Sequence, residues 1–514
     1  MKCKTYCIDF PKIQQLIFLF VVGFTISLPF THLVTGENFL FDWKSTAVMT
    51  GIAFCLAWVL KHRKVSGLFI IYSFCTGFFV LFRYMVLLLK PDQFVYYNWI
   101  EKYNELFSFQ CCLYLFLATL GLSFIEIKLA SKLVFNKKRK IKSSHHLFCN
   151  LSLILFFCAA SRVATFLLFK SGLTRGAVEV PLISKIWNIL NPEAALAACA
   201  LAFFLLPTKK KQDWILLGLS GIGYALLKTV LGSKGGIYDM ILWLTFSFFV
   251  AGRKIEVQPK ALWGTLMVLA AFSVGLFYLG FVFRIASLQS FKRDGSESAS
   301  RYAARIIQNI QSFNYTKSYL GQESPGPIQS LQNFGAQIIQ RINLLDAPLV
   351  VFLRPEVNPG SILNWSNTFR CAVNACWPGK PFPDAFLSEY GLSVCYQEYS
   401  QKTATLSQQS DNWSIFGLSF VLGKGWLGGL LLLWMIYLVF LLLIHWTSHG
   451  IGDWLSLLFA PMVYNAFYYT YVGFGFDNVV ARSFNLFLFN LILLPVVLIL
   501  SKKSSTHGLV QGHE

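Results

Sequence analysis

The residues in this chain best suited to chemistry are five arginines between positions 287 and 412: Arg301, Arg305, Arg341, Arg354 and Arg370. Arg301 and Arg305 stand four apart and so share one helix face. Arg341 sits on an apolar-periodic run just before Asp346-Ala347-Pro348. A guanidinium is always charged and grips phosphate oxygens in a two-pronged fork. Several of them near a membrane surface could hold a lipid diphosphate, although ordinary headgroups would be held in the same way. The same segment carries Asp346, Asp384, Glu389 and Glu398, any one of which could take a proton from a sugar hydroxyl or simply be solvated or salt-bridged. Upstream, Gly232-Ser233-Lys234-Gly235-Gly236 combines backbone N–H groups that can approach an anion with one ammonium. The spacing is not that of a nucleotide-binding loop, and a tight helix–helix turn would read the same.

A second group of charges falls within or at the ends of apolar runs: Arg83, Arg162, Glu193, Lys228 and Arg284. A charge at mid-bilayer costs at least ~2.5–3.5 kcal/mol, so it faces a cavity, finds a partner or reaches toward water from a helix end. Reaching toward water is the expectation for Arg83 and Arg284. Arg162 and Glu193, on successive apolar runs, are expected to form an ion pair or to act together. The histidines form no cluster with metal-ligand spacing, and residues 287–412 contain none. Most cysteines sit inside apolar runs and read as small core hydrophobes; Cys371, Cys376 and Cys395 in the long polar segment allow one disulfide and leave one thiol.

The elements that must position these groups follow from composition. Of 514 residues, 55% are hydrophobic and only 13% charged, about half the charge of a soluble domain. The excess apolar surface calls for lipid. Spans of roughly 20 apolar residues are expected near 13–34, 44–60, 66–89, 106–134, 147–170, 186–207, 213–231, 237–251, 262–285, 420–446, 455–472 and 484–500. The fold class is all-α, a polytopic integral membrane protein with about 12 transmembrane helices. Alternate connections carry the basic clusters Lys61-His62-Arg63-Lys64, Lys137-Lys138-Arg139-Lys140, Lys209-Lys210-Lys211, Arg253-Lys254 and Lys502-Lys503, which places them and both termini in the cytoplasm. The net charge of +20 is therefore a topology signal, not a nucleic-acid footprint. Residues 1–286 hold nine spans. Residues 287–412 form one large extracytoplasmic loop with short amphipathic helices, marked by Ile306, Ile307, Ile310 and Phe313 and by Leu331, Ile338, Ile339, Ile342 and Leu345. Residues 413–514 hold three spans and a cytoplasmic tail, with the glycine-rich stretch 413–427 as a re-entrant or interfacial lead-in.

This arrangement resembles the Wzy-type oligosaccharide repeat-unit polymerases of bacterial surface polysaccharide assembly. Four local stretches carry the likeness: Leu167-Leu168-Phe169-Lys170-Ser171-Gly172; Gly232-Ser233-Lys234-Gly235-Gly236; Arg341-Ile342-Asn343-Leu344-Leu345-Asp346 followed by Pro355; and Ser414 to Gly429 with Phe416-Gly417 and Gly425-Trp426-Leu427-Gly428-Gly429. Lys234 stands where the family frequently has arginine. The resemblance implies an enzyme of the bacterial inner membrane that transfers a glycan from polyprenyl (undecaprenyl) diphosphate onto a sugar hydroxyl of another lipid-linked unit, as in O-antigen and lipopolysaccharide assembly. It implies no cofactor and no metal, so fixed cations must stabilise the departing diphosphate. Arg341 and Lys234 are expected to be the main diphosphate contacts, with Arg301, Arg305 and Arg354 as lesser ones, and Asp346 or Glu389 as base. The partners implied are the lipid-linked donor and acceptor, the bilayer and a chain-length regulator.

Two rivals stand beside this reading. An O-antigen ligase uses the same donor, but such ligases usually rely on an outer-loop histidine. A non-enzymatic lipid-linked oligosaccharide flippase would show short loops and internal repeats, and the chain has one loop of over a hundred residues and no evident repeat.

Overall fold

The computed structural model describes residues 6–36, 40–62, 64–91, 105–130, 143–169, 190–230, 236–252, 254–257, 364–376, 381–382, 414–449, 453–472, 479–480 and 482–491, with single positions 275, 304, 307–308, 345 and 349. These residues are overwhelmingly helical. Helices α1 (Phe10–Thr35), α2 (Trp43–His62), α3 (Gly67–Leu89, with a π-helical turn at Thr76–Leu81), α4 (Glu105–Ile125, continued by the π-helical Glu126–Ala130) and α5 (His145–Phe169) come first. Then follow α6 (Pro192–Leu205), α7 (Lys211–Val230), α8 (Gly236–Ala251), α9 (Trp365–Cys376), α10 (Ser414–Leu422), α11 (Trp426–His449) and α12 (Asp453–Val472). A further helical stretch covers 482–491. One departure from an all-helical chain is a short antiparallel ribbon, β1 (Tyr6–Ile8) against β2 (Ile255–Val257), with Cys7 opposite Glu256.

Among the described residues, six helices are long and apolar enough to cross a membrane: α1, Trp43–Lys61 of α2, α3, Ser108–Ala130, His145–Ala164 of α5 and Trp426–Thr447 of α11; α6 and α8 are shorter apolar helices. The chain is a membrane protein by this measure. α1 and α11 turn leucines, phenylalanines and valines outward, among them Leu16, Ile26, Phe30, Leu431 and Val439. α6 is the opposite case, with every residue from Pro192 to Leu205 buried. At 14 residues it spans about 21 Å, less than the ~30 Å hydrocarbon core. It starts where it does because Asn191 accepts hydrogen bonds from the N–H groups of Glu193 (2.9 Å) and Ala194 (3.3 Å) and Pro192 takes the first helical position. The apolar run upstream of Asn191 had suggested an earlier start.

Cross-helix contacts sort the helix ends into two groups. Gln14 on α1 donates to the Leu60 carbonyl near the end of α2 (2.6 Å). Phe10 packs on Phe249 near the end of α8, and Phe248 on Phe204 near the end of α6. Ser143 bonds the Leu205 carbonyl, and His145 pairs with Asp213 at the start of α7. The exposed lysines Lys12, Lys61, Lys64, Lys210, Lys211 and Lys254 belong to this end. At the same end, Glu126 is buried and accepts from the Ser66 backbone N–H, the Ser66 hydroxyl (3.0 Å) and the Tyr437 hydroxyl (2.7 Å), joining α3, α4 and α11.

The glycine-rich lead-in is a helical turn. α10 reverses into α11 through Gly423-Lys424-Gly425, with Lys424 and Gly425 at positive φ. A Cβ at Gly428 would collide with the Gly423 carbonyl oxygen, so the two helices cross backbone to backbone. Leu345 and Leu349, from the large polar segment, are fully buried in the main core cluster.

Candidate functional site

Away from the lysine-bearing end, four helices bring charges together. Glu193 lies in the first turn of α6, Lys228 in the last turn of α7 and Asp239 in the first turn of α8. Each sign suits its helix dipole, since carboxylates are favoured at N-termini and ammonium groups at C-termini. Arg482 arrives from the start of the stretch 482–491. The two carboxylate oxygens of Glu193 are divided between the cations: Oε1 pairs with Lys228 Nζ, and Oε2 lies 2.5 Å from Arg482 Nη2. Lys228 is also 3.8 Å from Asp239 Oδ2, and the Tyr469 hydroxyl on α12 donates to Asp239 Oδ1 at 3.1 Å. The Arg482 guanidinium lies 3.8 Å above the Tyr469 ring, a cation–π contact that also fixes its plane. Arg162 on α5 is near enough to Glu193 for their charges to interact.

The close approach of the start of α8 to the last turn of α7 makes this convergence possible. A Cβ at Gly236 would stand 2.7 Å from the Ala225 carbonyl oxygen and 2.9 Å from Lys228 Cβ. Only glycine lets α8 start against the end of α7, which sets Asp239 beside Lys228.

Burying paired charges is costly unless the remaining hydrogen-bonding capacity is used. Here some is left over. The Tyr224 hydroxyl is buried, lies in the field of Glu193 and Asp239, and has no hydrogen-bond partner among the described residues; the same holds for Arg482 Nε. The cluster is also not closed. The Arg482 and Lys228 side chains keep 25% and 20% of their exposure, against 10% for Glu193, although the Arg482 Nε and Nη2 atoms are buried.

The expected site residues Lys234, Arg301, Arg305, Arg341, Arg354, Asp346 and Glu389 lie outside the described residues, as do Arg284, Asp384 and Glu398. Two expectations are revised. The direct partners of Glu193 are Lys228 and Arg482, not Arg162. Arg83 does not reach toward water: it is fully buried, with Tyr84, Leu87 and Leu88 of the same helix. Asp239, Arg482 and Tyr469 were missed. The signal for Asp239 and Lys228 was their placement on either side of a glycine-rich turn; Arg482 gave none beyond being an arginine at the edge of an apolar run.

A separate polar group joins α1, α2 and α3. His32 Nδ1 is 2.6 Å from Thr46 Oγ1, which is 2.8 Å from the Tyr84 hydroxyl, and all three side chains are buried. No group of His, Cys, Asp or Glu among the described residues could hold a metal ion.

Compared with protein-family models, curated proteins and solved structures, the chain matches none.

Proposed function

We propose that this chain is a metal-independent membrane glycosyltransferase of the bacterial inner membrane. It moves a polyprenyl-diphosphate-linked glycan onto a sugar hydroxyl of a second lipid-linked repeat unit. Four points of sequence resemblance suggest it. The observation that carries it is the cluster of Lys228, Arg482, Glu193 and Asp239 at neighbouring helix ends. Fixed cations held by helices, with no reorganisation at the moment of reaction, are what a departing diphosphate requires. By the positive-inside rule the lysine-bearing end is cytoplasmic and the cluster end extracytoplasmic, the side on which polymerisation of this type takes place.

In this reading Arg341 and Lys234 are the main diphosphate contacts, supported by Arg301, Arg305 and Arg354, and Asp346 or Glu389 removes the acceptor proton. The test is reconstitution of the purified chain with a synthetic polyprenyl-diphosphate repeat unit. A ladder of products on a gel is expected, lost in Arg341→Ala while the protein still inserts. Full-length products from Arg341→Ala would remove that residue from the mechanism. In cells, deletion leaving single-unit caps supports a polymerase; complete loss of surface sugar would favour a ligase or a flippase.

A further inference from the structure

We propose that Lys228 and Arg482 form a diphosphate-binding site that the carboxylate of Glu193 occupies in the unliganded protein. The inference rests on the polymerase reading only for the ligand being lipid-borne; the diphosphate chemistry comes from the site. Glu193 presents one oxygen to each cation, as the two phosphates of a diphosphate would. The Lys228 and Arg482 side chains keep more exposure than Glu193, while Arg482 Nε and Nη2 are themselves buried, so an incoming anion gains these nitrogens by taking the place of the carboxylate. Two donors, the Tyr224 hydroxyl and Arg482 Nε, are buried with no partner among the described residues, and a diphosphate carries enough oxygens to satisfy both.

The local field favours an anion beyond those the chain supplies. The N-termini of α6 and α8 end here, each contributing about half a positive charge. Arg162 adds a third cation against two carboxylates. A diphosphate brings more charge and more acceptor atoms than one carboxylate, so it displaces Glu193 from the two cations. Glu193 in turn keeps those cations paired when the site is empty, which avoids the cost of a buried charge left alone.

The experiment measures binding to the purified full-length chain in nanodiscs by equilibrium titration, with thermal unfolding as a check on folding. The probes are inorganic phosphate, inorganic pyrophosphate and a short-chain polyprenyl diphosphate. Lys228→Met and Arg482→Met should each weaken diphosphate binding by at least about tenfold. Glu193→Gln should tighten it by about tenfold or more, because its competitor for the cations is gone. A purely structural ion pair predicts otherwise: Glu193→Gln lowers the unfolding temperature and leaves binding unchanged or weaker, and that result would overturn the proposal. Should Glu193→Gln fail to accumulate, Asp239→Asn removes the other carboxylate from Lys228 and allows the same comparison. Equal affinity for pyrophosphate and polyprenyl diphosphate would identify a free diphosphate as the ligand; stronger binding of the lipid would identify the carrier. Diphosphate binding that follows this pattern in a protein unable to extend chains would sink the polymerase reading and leave the site standing.

Discussion

Glu193 and Glu126 are two buried carboxylates with opposite surroundings. Glu193 is met by two cations; Glu126 is met by three neutral donors, two from Ser66 and one from Tyr437. Their substitutions should behave differently. Glu126→Leu leaves the Ser66 N–H and the Tyr437 hydroxyl buried without acceptors, so unfolding in detergent should show a loss of about 2–4 kcal/mol. Glu126→Gln, which keeps one acceptor oxygen, should recover about half of that. Arg482→Met gives up both the contact to Glu193 and the stacking on Tyr469. Because the side chain is a quarter exposed, the cost should stay near about 1–3 kcal/mol, below that of a fully buried pair. A melting temperature unchanged in Arg482→Met would mean that solvent already screens the contact.

At the scale of elements, the α10–α11 reversal depends on glycine for a steric reason. Gly428→Ala places a methyl group on the Gly423 carbonyl oxygen, so it should strongly reduce the folded fraction recovered from membranes. Gly23→Ala, on the outward side of α1 where a Cβ meets nothing within 4 Å, should leave that fraction unchanged or slightly raised. Lys424 holds a positive φ of 55°, and Lys424→Gly should stabilise the turn by about 1 kcal/mol. These elements were largely legible in the sequence, because a long apolar run bounded by charge leaves few alternatives to a helix. α6 was misplaced at its start: the apolar residues before Asn191 outweighed the Asn191-Pro192-Glu193 start signal. The candidate site was half legible. Glu193 and Lys228 stood out as charges in apolar runs, but Arg482 is far away in sequence, and only the packing of α6, α7, α8 and α12 reveals what it meets.

For the molecule as a whole, the two groups of helix ends give a direct test of orientation. With the lysine-bearing end in the cytoplasm, a cysteine replacing Lys90, exposed at the end of α3, should react with a membrane-impermeant maleimide on intact cells. A cysteine replacing Lys61, at the other end of the neighbouring α2, should react only after permeabilisation. The reverse pattern would invert the topology and remove the cluster from the face on which lipid-linked glycans are polymerised. The enclosed position of α6 also bears on how the chain is made. A 14-residue segment with a glutamate in its first turn partitions poorly from the translocon on its own. One of its cations, Lys228, is synthesised 35 residues later, and the other, Arg482, arrives only after α7, α8 and α12 have been made. α6 must therefore wait, loosely held, until the rest of the polypeptide arrives, so truncation ahead of Arg482 should expose this segment to quality-control proteolysis even though every earlier helix has already entered the bilayer.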